Sequence, residues 1–371
     1  MLQQDRLAQL RQEVAQIEPM EAAERANSGS ILLDIRDPDE LAQGSPPVAV
    51  RLARSFLEMQ IEAVAPDPKT ELMVLCASGT RSLFVADGLK RLGYRSVASV
   101  AGGFRAWSES GLPVEKVRTL TSLERERYAR HLKIPEVGEA GQVKLLSRKV
   151  AIVGAGGLGS PIAYYLAAAG LGRLGIIDDD RLERSNLQRQ ILHADSRVGQ
   201  LKTRSAAETL TAFNPDLQVD LHEVRLDRSN ARTILAGYDL VVDGSDNLST
   251  RYAVNDACVQ LRIPMVYGAI WRFEGQVSVF WPDGLQGGPC YRCIFPEPPP
   301  TELTPSCAEA GVLGVLPGII GSIMAAEALK ILLGLGKPLI GRLLIYDGLS
   351  GRFDELALEA DRECRWCAKA A

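Results

Sequence analysis

The sequence lacks an excess of charge of either sign. Its 42 lysines and arginines nearly balance its 46 aspartates and glutamates, which leaves a net charge of −4, and both signs are mixed along the chain. A nucleic-acid-binding surface needs clustered positive charge, and so does electrostatic attraction to an anionic membrane. We therefore expect neither nucleic acid nor a membrane among the partners, and we favour small molecules or proteins as substrates.

Long uncharged apolar runs are also missing. The first six residues contain no apolar signal core, and the most apolar stretch, residues 312–333, is interrupted by glycines, a proline, Glu327 and Lys330. A membrane span needs about 20 consecutive apolar residues. We therefore expect a cytoplasmic protein without a membrane-spanning helix.

The cysteines do not suit a disulfide framework. There are seven, an odd number, and four of them stand in two Cys-x-x-Cys pairs. This spacing is typical of metal binding and thiol chemistry in a reducing compartment.

Length and composition indicate how the chain divides. At 371 residues and 46% hydrophobic content, it is globular and too long for one core. Apolar strand-like runs alternate with helical patterns, which predicts α/β domains with parallel sheets. We predict an N-terminal helix extension over residues 1–14, a first α/β domain over 15–115, a linker over 116–121 and a second α/β domain over 122–371.

The N-terminal residues carry an apolar stripe. Leu7, Leu10, Val14 and Ile17 recur at helical spacing within residues 2–27. We predict a helix that packs on its own domain rather than on a partner.

Residues 150–160 carry the pattern around which the second domain is organised. An apolar run is followed by a glycine-rich turn and then by a helical pattern. The glycines of the turn are Gly154, Gly156, Gly157 and Gly159. Glycines let backbone N–H groups approach an anion, and a helix N-terminus adds positive partial charge. The pattern predicts a phosphate-binding turn, although it also occurs in dinucleotide oxidoreductases and where a strand and a helix merely pack closely.

Polar residues beyond the turn favour a triphosphate over a nicotinamide. Asp178 ends the next strand about twenty residues on, where a carboxylate can bind a ribose hydroxyl. Asn186, Arg189 and Lys202 follow. Cationic groups stabilise the charge that builds on phosphate oxygens as pyrophosphate leaves. Asp246 follows a further strand, and its carboxylate is suited to hold magnesium.

The chemical feature of the first domain is Cys76. It follows the apolar run 72–75 and opens a short loop that closes on Arg81 before a helical pattern. Backbone N–H groups and positive charge favour a thiolate, and a thiolate can carry sulfur as a persulfide. The alternative is a buried structural cysteine, which is the commoner fate of a single cysteine.

Residues 15–115 resemble a single-domain rhodanese. The stretches that carry the resemblance are residues 33–41, the loop 76–82 and residues 102–107. The resemblance implies that Cys76 carries the persulfide and that Arg81 helps to hold it. One segment departs from the family, because rhodaneses usually have a Gly-His-Ile-Pro-Gly-Ala type of segment where this chain has Gly44-Ser-Pro-Pro-Val-Ala.

Residues 122–371 resemble the adenylating domain of the MoeB/ThiF and ubiquitin-activating-enzyme superfamily. The matching motifs are Arg127-Tyr-Ala-Arg-His131, Gly154-Ala-Gly-Gly-Leu-Gly-Ser160, the run from Asp178 through Ser185-Asn-Leu-Gln-Arg-Gln190, Lys202 and Asp243-Gly-Ser-Asp-Asn247. Several separate motifs in the right order make the resemblance specific.

This resemblance implies a role for each candidate residue. Asp178 would bind the ATP ribose, and Asp246 would hold magnesium near the C-terminal glycine of a protein substrate. The phosphates would be contacted by the glycine turn together with Asn186, Arg189 and Lys202. The family works as a dimer, so Arg130 of one subunit would reach the ATP of its partner.

The two Cys-x-x-Cys pairs suit a tetrahedral zinc ion rather than free thiols. They are Cys290 with Cys293 and Cys364 with Cys367. Their separation of about seventy residues requires the fold to bring them together. Four thiolates leave no open position for a substrate, so we expect a structural site, and MoeB-like enzymes have such a site at matching places.

A proline-rich segment between the two Cys-x-x-Cys pairs leads to one more cysteine. Residues 295–306 predict no regular structure, and we expect a mobile segment that crosses the active site and leads to Cys307. In ThiF-like enzymes a cysteine here can bond the carrier or take part in sulfur transfer, whereas in MoeB it can be dispensable. Both a catalytic and a passive Cys307 stay open.

The two resemblances together imply one reaction sequence. The second domain would use ATP to convert the C-terminal Gly-Gly carboxylate of a ubiquitin-like sulfur carrier into an acyl adenylate. A persulfide on Cys76, supplied by a cysteine desulfurase, would attack it and leave a thiocarboxylate. We expect molybdenum cofactor biosynthesis, with thiamine synthesis, transfer-RNA thiolation or another thio-metabolite as alternatives.

Three other functions share part of these features. A dehydrogenase would share the glycine turn, but it has no need of Arg189, Lys202 or four paired cysteines. An adenylating enzyme that acts on transfer RNA is disfavoured by the near-neutral charge and the rhodanese resemblance. A silent carrier-binding scaffold is disfavoured by the intact ATP motifs.

Overall fold

The computed structural model describes residues 2–52, 54, 57–116, 118–284, 287–298 and 311–368. The chain divides into two compact units, Met1–Glu124 and Arg125–Ala371. Each unit has an α/β architecture with its own largely parallel sheet, which confirms the predicted fold class. The finer bounds of the extension, the linker and the two domains stay predictions.

Unit 1 is built around a five-stranded parallel sheet with the order β1-β5-β4-β2-β3. The strands are β1 (Ala15–Ile17), β2 (Ile31–Asp34), β3 (Val50–Arg51), β4 (Glu71–Leu75) and β5 (Ser96–Val100). Alternate residues of the central strand β4 enter two separate apolar clusters, because successive side chains point to opposite faces. Both faces of the sheet are therefore covered, as parallel sheets require.

The helices of unit 1 correct one prediction. They are α1 (Leu2–Glu13), α2 (Pro19–Asn27), α3 (Pro38–Leu41), α4 (Leu57–Val64), α5 (Arg81–Arg91) and α6 (Gly103–Glu109). The helix predicted across residues 2–27 is interrupted, because Ala15–Ile17 pairs in parallel with β5. The open edge of β5 offers backbone hydrogen bonds that outweigh the helical spacing of the apolar residues. Leu10 and Val14 are buried, so α1 does pack on its own unit.

Unit 2 is built around an eight-stranded sheet with the order β13-β12-β11-β10-β9-β6-β7-β8. Its strands are β6 (Lys149–Val153), β7 (Arg173–Ile177), β8 (Gln218–His222), β9 (Leu240–Asp243), β10 (Met265–Trp271), β11 (Glu274–Phe280), β12 (Arg342–Asp347) and β13 (Arg352–Ala357). The strands from β10 to β8 are parallel, and β11 to β13 continue the sheet antiparallel. The chain leaves β6 towards β7 on one side and later returns to β9 on the other. Ligands of open α/β sheets bind at such a switch point, outside the carboxyl ends of the strands.

Helices cover both faces of this second sheet. They are α7 (Ser122–Arg127, which contains the boundary between the units), α8 (Ala129–Leu132), α9 (Gly138–Ser147), α10 (Gly159–Ala169), α11 (Lys202–Phe213), α12 (Ala231–Leu235), α13 (Leu248–Leu261), α14 (Tyr291–Ile294) and α15 (Leu316–Leu333). Apolar residues of α10 and α15 form one core cluster with the sheet, and those of α12 and α13 form a second.

By length and composition alone, α15 could cross a membrane, contrary to the expectation that no stretch is apolar enough. Half of this helix is buried within the protein, and Ile320 and Met324 are core residues. A helix that is apolar on all sides is either a membrane span or a core helix. Its burial against the sheet favours the core helix.

Candidate active sites

The carboxyl ends of β6, β7 and β9 border a cleft of about 350 Å³ in unit 2. A volume of this size is typical of a small-molecule site. The predicted site residues that line the cleft are Gly154, Gly156, Gly157, Asp178, Arg189, Lys202 and Asp246. The fold therefore brings together side chains from four separate motifs.

The glycine turn has a backbone that only glycine fits. Gly154 has a φ of 92°, and a Cβ on Gly159 would lie 2.0 Å from the carbonyl oxygen of Gly154. The N–H groups of Gly156 and Gly157 have no acceptor among the described residues. Unpaired N–H groups beside a helix N-terminus are suited to bind phosphate oxygens.

Asp178 and Lys202 both line the cleft beside this turn. The Asp178 carboxylate accepts the N–H groups of Ala155 and Asp180, each at 2.8 Å. Burial raises the pKa of Asp178, although the charge of Lys202 and the two N–H groups oppose the shift. Lys202 is buried, and its Nζ donates to Asp180 Oδ2 at 2.6 Å. The ion pair holds the ammonium group in the cleft wall.

The residues of the 185–190 motif do not all face the cleft. Arg189 lines the cleft, and its Nη1 donates to the carbonyl oxygen of Ser185 at 3.3 Å. Asn186 is absent from the cleft lining, and its Oδ1 accepts the N–H of Glu183 at 3.0 Å. The phosphate role of Asn186 stays a prediction, and its side chain caps a short turn in this structure.

Gln190 is a cleft residue that sequence reasoning missed. It lines the cleft, it is buried, and its Oε1 has no hydrogen-bond partner among the described residues. A buried polar atom left unpaired costs about 1–3 kcal/mol. This cost favours a polar ligand or water beside Gln190. The sequence showed Gln190 as the last residue of the 185–190 motif but indicated no role for its side chain.

A buried ion pair shapes the loop that carries Asp246. Asp243 accepts hydrogen bonds from Ser245 Oγ at 2.6 Å and from Arg251 Nε at 3.0 Å. Arg251 also donates to the carbonyl oxygen of Ser245 at 2.9 Å. Asp246 is exposed in the cleft and has no ion pair or hydrogen bond with any described residue. Its carboxylate oxygens are therefore available to a cation.

The four paired cysteines meet as their spacing requires. The sulfur of Cys290 lies 3.7 Å from those of Cys293 and Cys364, and Cys293 lies 3.5 Å from Cys367. Four sulfurs around one zinc ion would be about 3.8 Å apart, given Zn–S bonds of about 2.3 Å. Hydrogen bonding with Cys290 lowers the pKa of Cys293 to about 5. The donor set and its spacing fit a tetrahedral metal ion.

Residues inside the two cysteine pairs also hold them together. The guanidinium of Arg292 lies 4.1 Å from the ring centre of Trp366 and 4.5 Å from that of Tyr252. Arg292 is buried and forms an ion pair with Asp256 at 2.6 Å. Such stacking of a desolvated cation contributes about 2 kcal/mol. The pairs are therefore joined by packing as well as by any shared metal.

Cys76 of unit 1 lies at the base of the loop that joins β4 to α5. Its side chain is fully buried, and its Sγ lies 3.3 Å from both the N and the Oγ of Ser82. Ser82 Oγ is in turn 2.7 Å from Ser99 Oγ, and both serines are buried. The N–H groups of residues 77–80 have no acceptor among the described residues. The sulfur therefore ends a buried chain of hydroxyl groups and belongs to a loop with free N–H groups among the described residues. The sequence did not reveal this hydroxyl chain.

Arg81 ties the loop to a neighbouring helix. Its Nη2 donates to Glu40 Oε1 at 2.5 Å and its Nη1 to Asp37 Oδ2 at 3.3 Å. The Arg81 bond lowers the pKa of Glu40 below its usual range. A role for Arg81 in holding a persulfide stays a prediction, since in this structure it fixes the position of the loop.

The departure at residue 45 is accommodated locally. Ser45 Oγ donates to Asp34 Oδ2 at 2.8 Å, and the same carboxylate pairs with buried Arg36 at 2.7 Å. Arg36 also donates to the carbonyl oxygen of Gly44 at 2.6 Å and lies 3.6 Å above the ring of Phe104. The buried side chains of Asp34, Arg36 and Ser45 thus have hydrogen-bond partners without a histidine.

Comparison with known families supplies the decisive observation. The family model described as ThiF family matches residues 128–366. The chain belongs to the ThiF family. The model described as rhodanese-like domain matches residues 18–110, so this ThiF-family chain also carries a rhodanese-like domain and both resemblances are confirmed.

Curated relatives of this ThiF-family chain are named as enzymes. The sulfur carrier protein adenylyltransferase of Thermus thermophilus is 53% identical over 249 residues, which cover 67% of this chain and 92% of the relative. The probable adenylyltransferase/sulfurtransferase MoeZ of Mycobacterium tuberculosis is 49% identical over 251 residues, which cover 67% of this chain and 64% of MoeZ. This chain therefore spans nearly the whole Thermus relative but less than two thirds of MoeZ.

Solved structures support the fold. The Escherichia coli protein MccB, crystallised with MccA-N7isoASN, superposes with a TM-score of 0.58 at 21% identity and covers 71% of this chain and 80% of that chain. At this identity the likeness extends to the fold of the ThiF family and not to its substrate.

The structure gives no support for the predicted roles of two residues of the ThiF-family unit, Arg130 and Cys307. Arg130 on α8 is exposed, has no hydrogen bond or ion pair with any described residue and does not line the cleft of its own chain. Cys307 and most of the proline-rich segment lie outside the described residues. The roles of both residues stay predictions.

Proposed function

We propose that this protein adenylates the C-terminal Gly-Gly carboxylate of a ubiquitin-like sulfur carrier with ATP and then thiolates it with sulfur carried on Cys76. The observation that carries the proposal is the cleft itself. Free N–H groups at Gly156 and Gly157 lie there together with the cations Arg189 and Lys202 and the unpaired carboxylate of Asp246. The name of the Thermus relative, a sulfur carrier protein adenylyltransferase, supports the choice of substrate.

Adenylation follows from the charge of the cleft. The carrier carboxylate attacks the α-phosphorus of ATP, a P–O bond forms, and pyrophosphate leaves. We assign Asp178 to the ribose and Lys202 with Arg189 to the phosphates, where positive charge stabilises the departing pyrophosphate. Magnesium, held by Asp246, would neutralise part of the phosphate charge.

Sulfur transfer then needs a nucleophile and a reductant. The terminal sulfur of a Cys76 persulfide attacks the acyl carbon, AMP leaves with the bonding electrons, and an acyl disulfide joins carrier and enzyme. Two equivalents of a thiol reductant supply two electrons, which release the carrier thiocarboxylate and the Cys76 thiol and form a disulfide of the reductant. A cysteine desulfurase is the proposed persulfide donor, and the cytoplasm is the proposed compartment because its thiols are reduced.

The test is a thiolation assay with the full-length protein. Magnesium, ATP, a persulfide donor, a thiol reductant and each candidate carrier are combined, and carriers are weighed by intact mass spectrometry. We expect one carrier to gain the mass of an oxygen-to-sulfur exchange with wild type and with Cys258→Ala, a matched control in the core, but not with Cys76→Ala.

The same assay separates the two halves of the proposal. Carrier adenylate without thiolation in Cys76→Ala supports both steps. If Cys76→Ala thiolates as fast as wild type, the sulfur role of Cys76 is wrong and only adenylation stands. If no carrier is adenylated, the whole proposal fails. The carrier that reacts names the pathway, for which molybdenum cofactor biosynthesis is our proposal.

We further propose a homodimer in which Arg130 completes the partner's ATP site. Arg130→Ala and Lys202→Ala should each be inactive in pyrophosphate exchange, whereas a mixture of re-equilibrated dimers should recover about a quarter of wild-type activity, because half of the dimers then contain one intact site. Lys133→Ala, on the same exposed surface, serves as the control and should stay active. Absence of recovery in the mixture contradicts a site shared between subunits.

The four-cysteine cluster is proposed to bind structural zinc. The sulfur distances of 3.5–3.7 Å support this choice, and four thiolates leave no open coordination position. Metal analysis of the purified chain and of Cys293→Ser tests it, since only the wild type should retain stoichiometric zinc.

A further inference from the structure

A buried histidine lies behind the glycine turn. Only 8% of the surface of His193 is exposed. Its Nε2 lies 2.8 Å from the carbonyl oxygen of Ala155, and its Nδ1 lies 2.9 Å from Oγ of Ser205. A carbonyl oxygen only accepts, so Nε2 carries a proton, and in the neutral ring Nδ1 accepts from the Ser205 hydroxyl.

The environment keeps this ring neutral. Burial lowers the pKa of His193, and the charges of Lys202 and Arg197 lower it further, against the opposing effect of the Ala155 bond. Near pH 7 the ring therefore has one fixed tautomer, which donates to Ala155 and is oriented by Ser205.

The Ala155 carbonyl and the Gly156 N–H belong to one peptide unit. The described chain has no cis peptide bond. In a planar trans unit the C=O and the N–H point in opposite directions. Because His193 draws the carbonyl to one side, the Gly156 N–H must point to the other, and Gly156 lines the cleft.

No other hydrogen bond of the turn is made directly to this peptide unit among the described residues. Asp178 accepts the N–H of Ala155 at 2.8 Å, which fixes the preceding unit, and the Gly156 carbonyl oxygen accepts from Ser160 N at 3.0 Å and from Ser160 Oγ at 2.7 Å, which fixes the following one. Gly156 itself has wide conformational freedom, because glycine lacks a Cβ. Among the described residues, the hydrogen bond from His193 to the Ala155 carbonyl is thus the direct restraint on where the Gly156 N–H points.

We propose that His193 is a positioning residue that aims the Gly156 N–H at a phosphate group of the nucleotide, acting through the Ala155 carbonyl and oriented by Ser205. This inference rests on the proposed function, because only a phosphate-bearing ligand requires that donor. It predicts that loss of the His193 ring weakens the binding of a nucleotide that carries phosphates and leaves the binding of the nucleoside alone nearly unchanged.

The experiment compares ATP with adenosine on the full-length protein. Binding of magnesium ATP is measured by calorimetry, and adenosine is measured by competition against a fluorescent ATP analogue. His193→Ala should weaken ATP about tenfold and leave adenosine within about twofold, since one aligned hydrogen bond to a charged group is lost. His193→Gln, whose side-chain N–H can donate to Ala155, should recover most of the ATP affinity.

Two further variants keep the test decisive. Ser205→Ala leaves the ring in place but removes its orienting hydroxyl, so we expect a selective loss of ATP affinity of about threefold, even if His193→Ala fails to fold. His222→Ala is the matched control, because that ring contacts Tyr238 at 3.0 Å instead of the turn. It should bind both ligands as wild type does.

The outcomes distinguish this inference from the function on which it rests. Unchanged ATP binding in His193→Ala and Ser205→Ala overturns the positioning role while the proposed function stands. Equal weakening of ATP and adenosine also overturns it, because the ring would then be merely structural. A wild-type protein that binds no ATP overturns the proposed function and this inference with it.

Discussion

The two units contain the same strand–turn–helix arrangement, but the turns differ in their first residue. In unit 1, residues 76–80 join β4 to α5, and in unit 2, residues 154–158 join β6 to α10; each helix has 11 residues. Both turns present backbone N–H groups that have no acceptor among the described residues. Each turn is thus suited to bind an anion at the carboxyl edge of a parallel sheet.

The first residue of each turn marks the difference. In unit 1 it is Cys76, which is buried under the turn and accepts the N–H of Ser82 at 3.3 Å. In unit 2 it is Gly154, and the space above the turn is an open cleft. A side chain in the first position supplies an attached nucleophile, whereas glycine leaves room for an exchangeable ligand. The same backbone arrangement is therefore suited to two proposed roles, holding a covalently attached sulfur in unit 1 and a bound phosphate in unit 2.

The largest expected effect comes from adding one methyl group behind either turn. A Cβ on Gly159 would lie 2.0 Å from the Gly154 carbonyl oxygen, and a Cβ on Gly103 would lie 2.2 Å from that of Cys76. Both contacts are with backbone, so the turn must move. We expect Gly159→Ala to lose pyrophosphate exchange by about 10²-fold or more while it keeps persulfide formation, and Gly103→Ala to show the reverse.

Two matched controls accompany this pair. At Gly88 in α5 and Gly318 in α15, an added Cβ would have no described atom within 4 Å apart from the nearby backbone of its own helix. Alanine should be tolerated at both positions and should stabilise the helix by up to about 1 kcal/mol. If Gly159→Ala and Gly103→Ala impair both activities equally, the two turns are not independent sites.

A moderate effect is expected from the buried hydroxyl chain of unit 1. Ser82→Ala removes the group that lies 3.3 Å from the Cys76 sulfur and leaves Ser99 without its 2.7 Å partner. We expect single-turnover persulfide loading, followed by mass spectrometry, to slow by about 3- to 10-fold while pyrophosphate exchange is unchanged. Ser78→Ala is the control, since that exposed hydroxyl contacts only Thr80 among the residues that the structure describes. Equal loading rates would show that the chain does not act on the sulfur.

The smallest expected effect is a difference between the two units in how their free energy of unfolding depends on pH. All three histidines lie in unit 2. The pKa of His193 is lowered in the fold, so below pH 6.5 the unfolded chain takes up a proton that the folded chain does not. The free energy of unfolding of unit 2 should therefore fall as the pH drops from 7 towards 5, and that of unit 1 should change less.

Hydrogen exchange read separately on peptides of each unit measures this difference. The raised pKa of Asp178 acts in the opposite sense at lower pH, because its folded form binds a proton more readily. Comparison with His193→Gln cancels that effect, and the variant should lose less stability in unit 2 than wild type over the same range. An identical pH dependence in both proteins would contradict the assignment of the neutral ring.

Much of the fold followed from local patterns, and the failures have physical causes. The apolar runs and helical patterns around Cys76 and the glycine turn predicted the strands and helices that are observed. The interrupted helix at residues 15–17 could not be predicted, because its cause is the free edge of β5, about 80 residues later in the chain. Local spacing carries no information about such a distant partner.

For the candidate sites too, some residues were predicted from local motifs and others were not. The motifs placed Asp178, Lys202 and Asp246 at one cleft, because parallel strands end on one edge. They did not reveal Gln190 or His193, and they did not show that Asn186 uses its side chain to cap a turn. Hydrogen-bond partners of this kind depend on orientation within the folded chain.

The residue types alone specify which groups can do chemistry and where the backbone must be glycine. Those properties are local, since a residue's functional group and its permitted dihedral angles belong to that residue. Which groups meet depends on the folded chain, in which Ala155, for example, donates its N–H to Asp178 while its carbonyl oxygen accepts from His193. That choice depends on packing between segments far apart in the chain, because directional hydrogen bonds form only once the core has set their distance and angle.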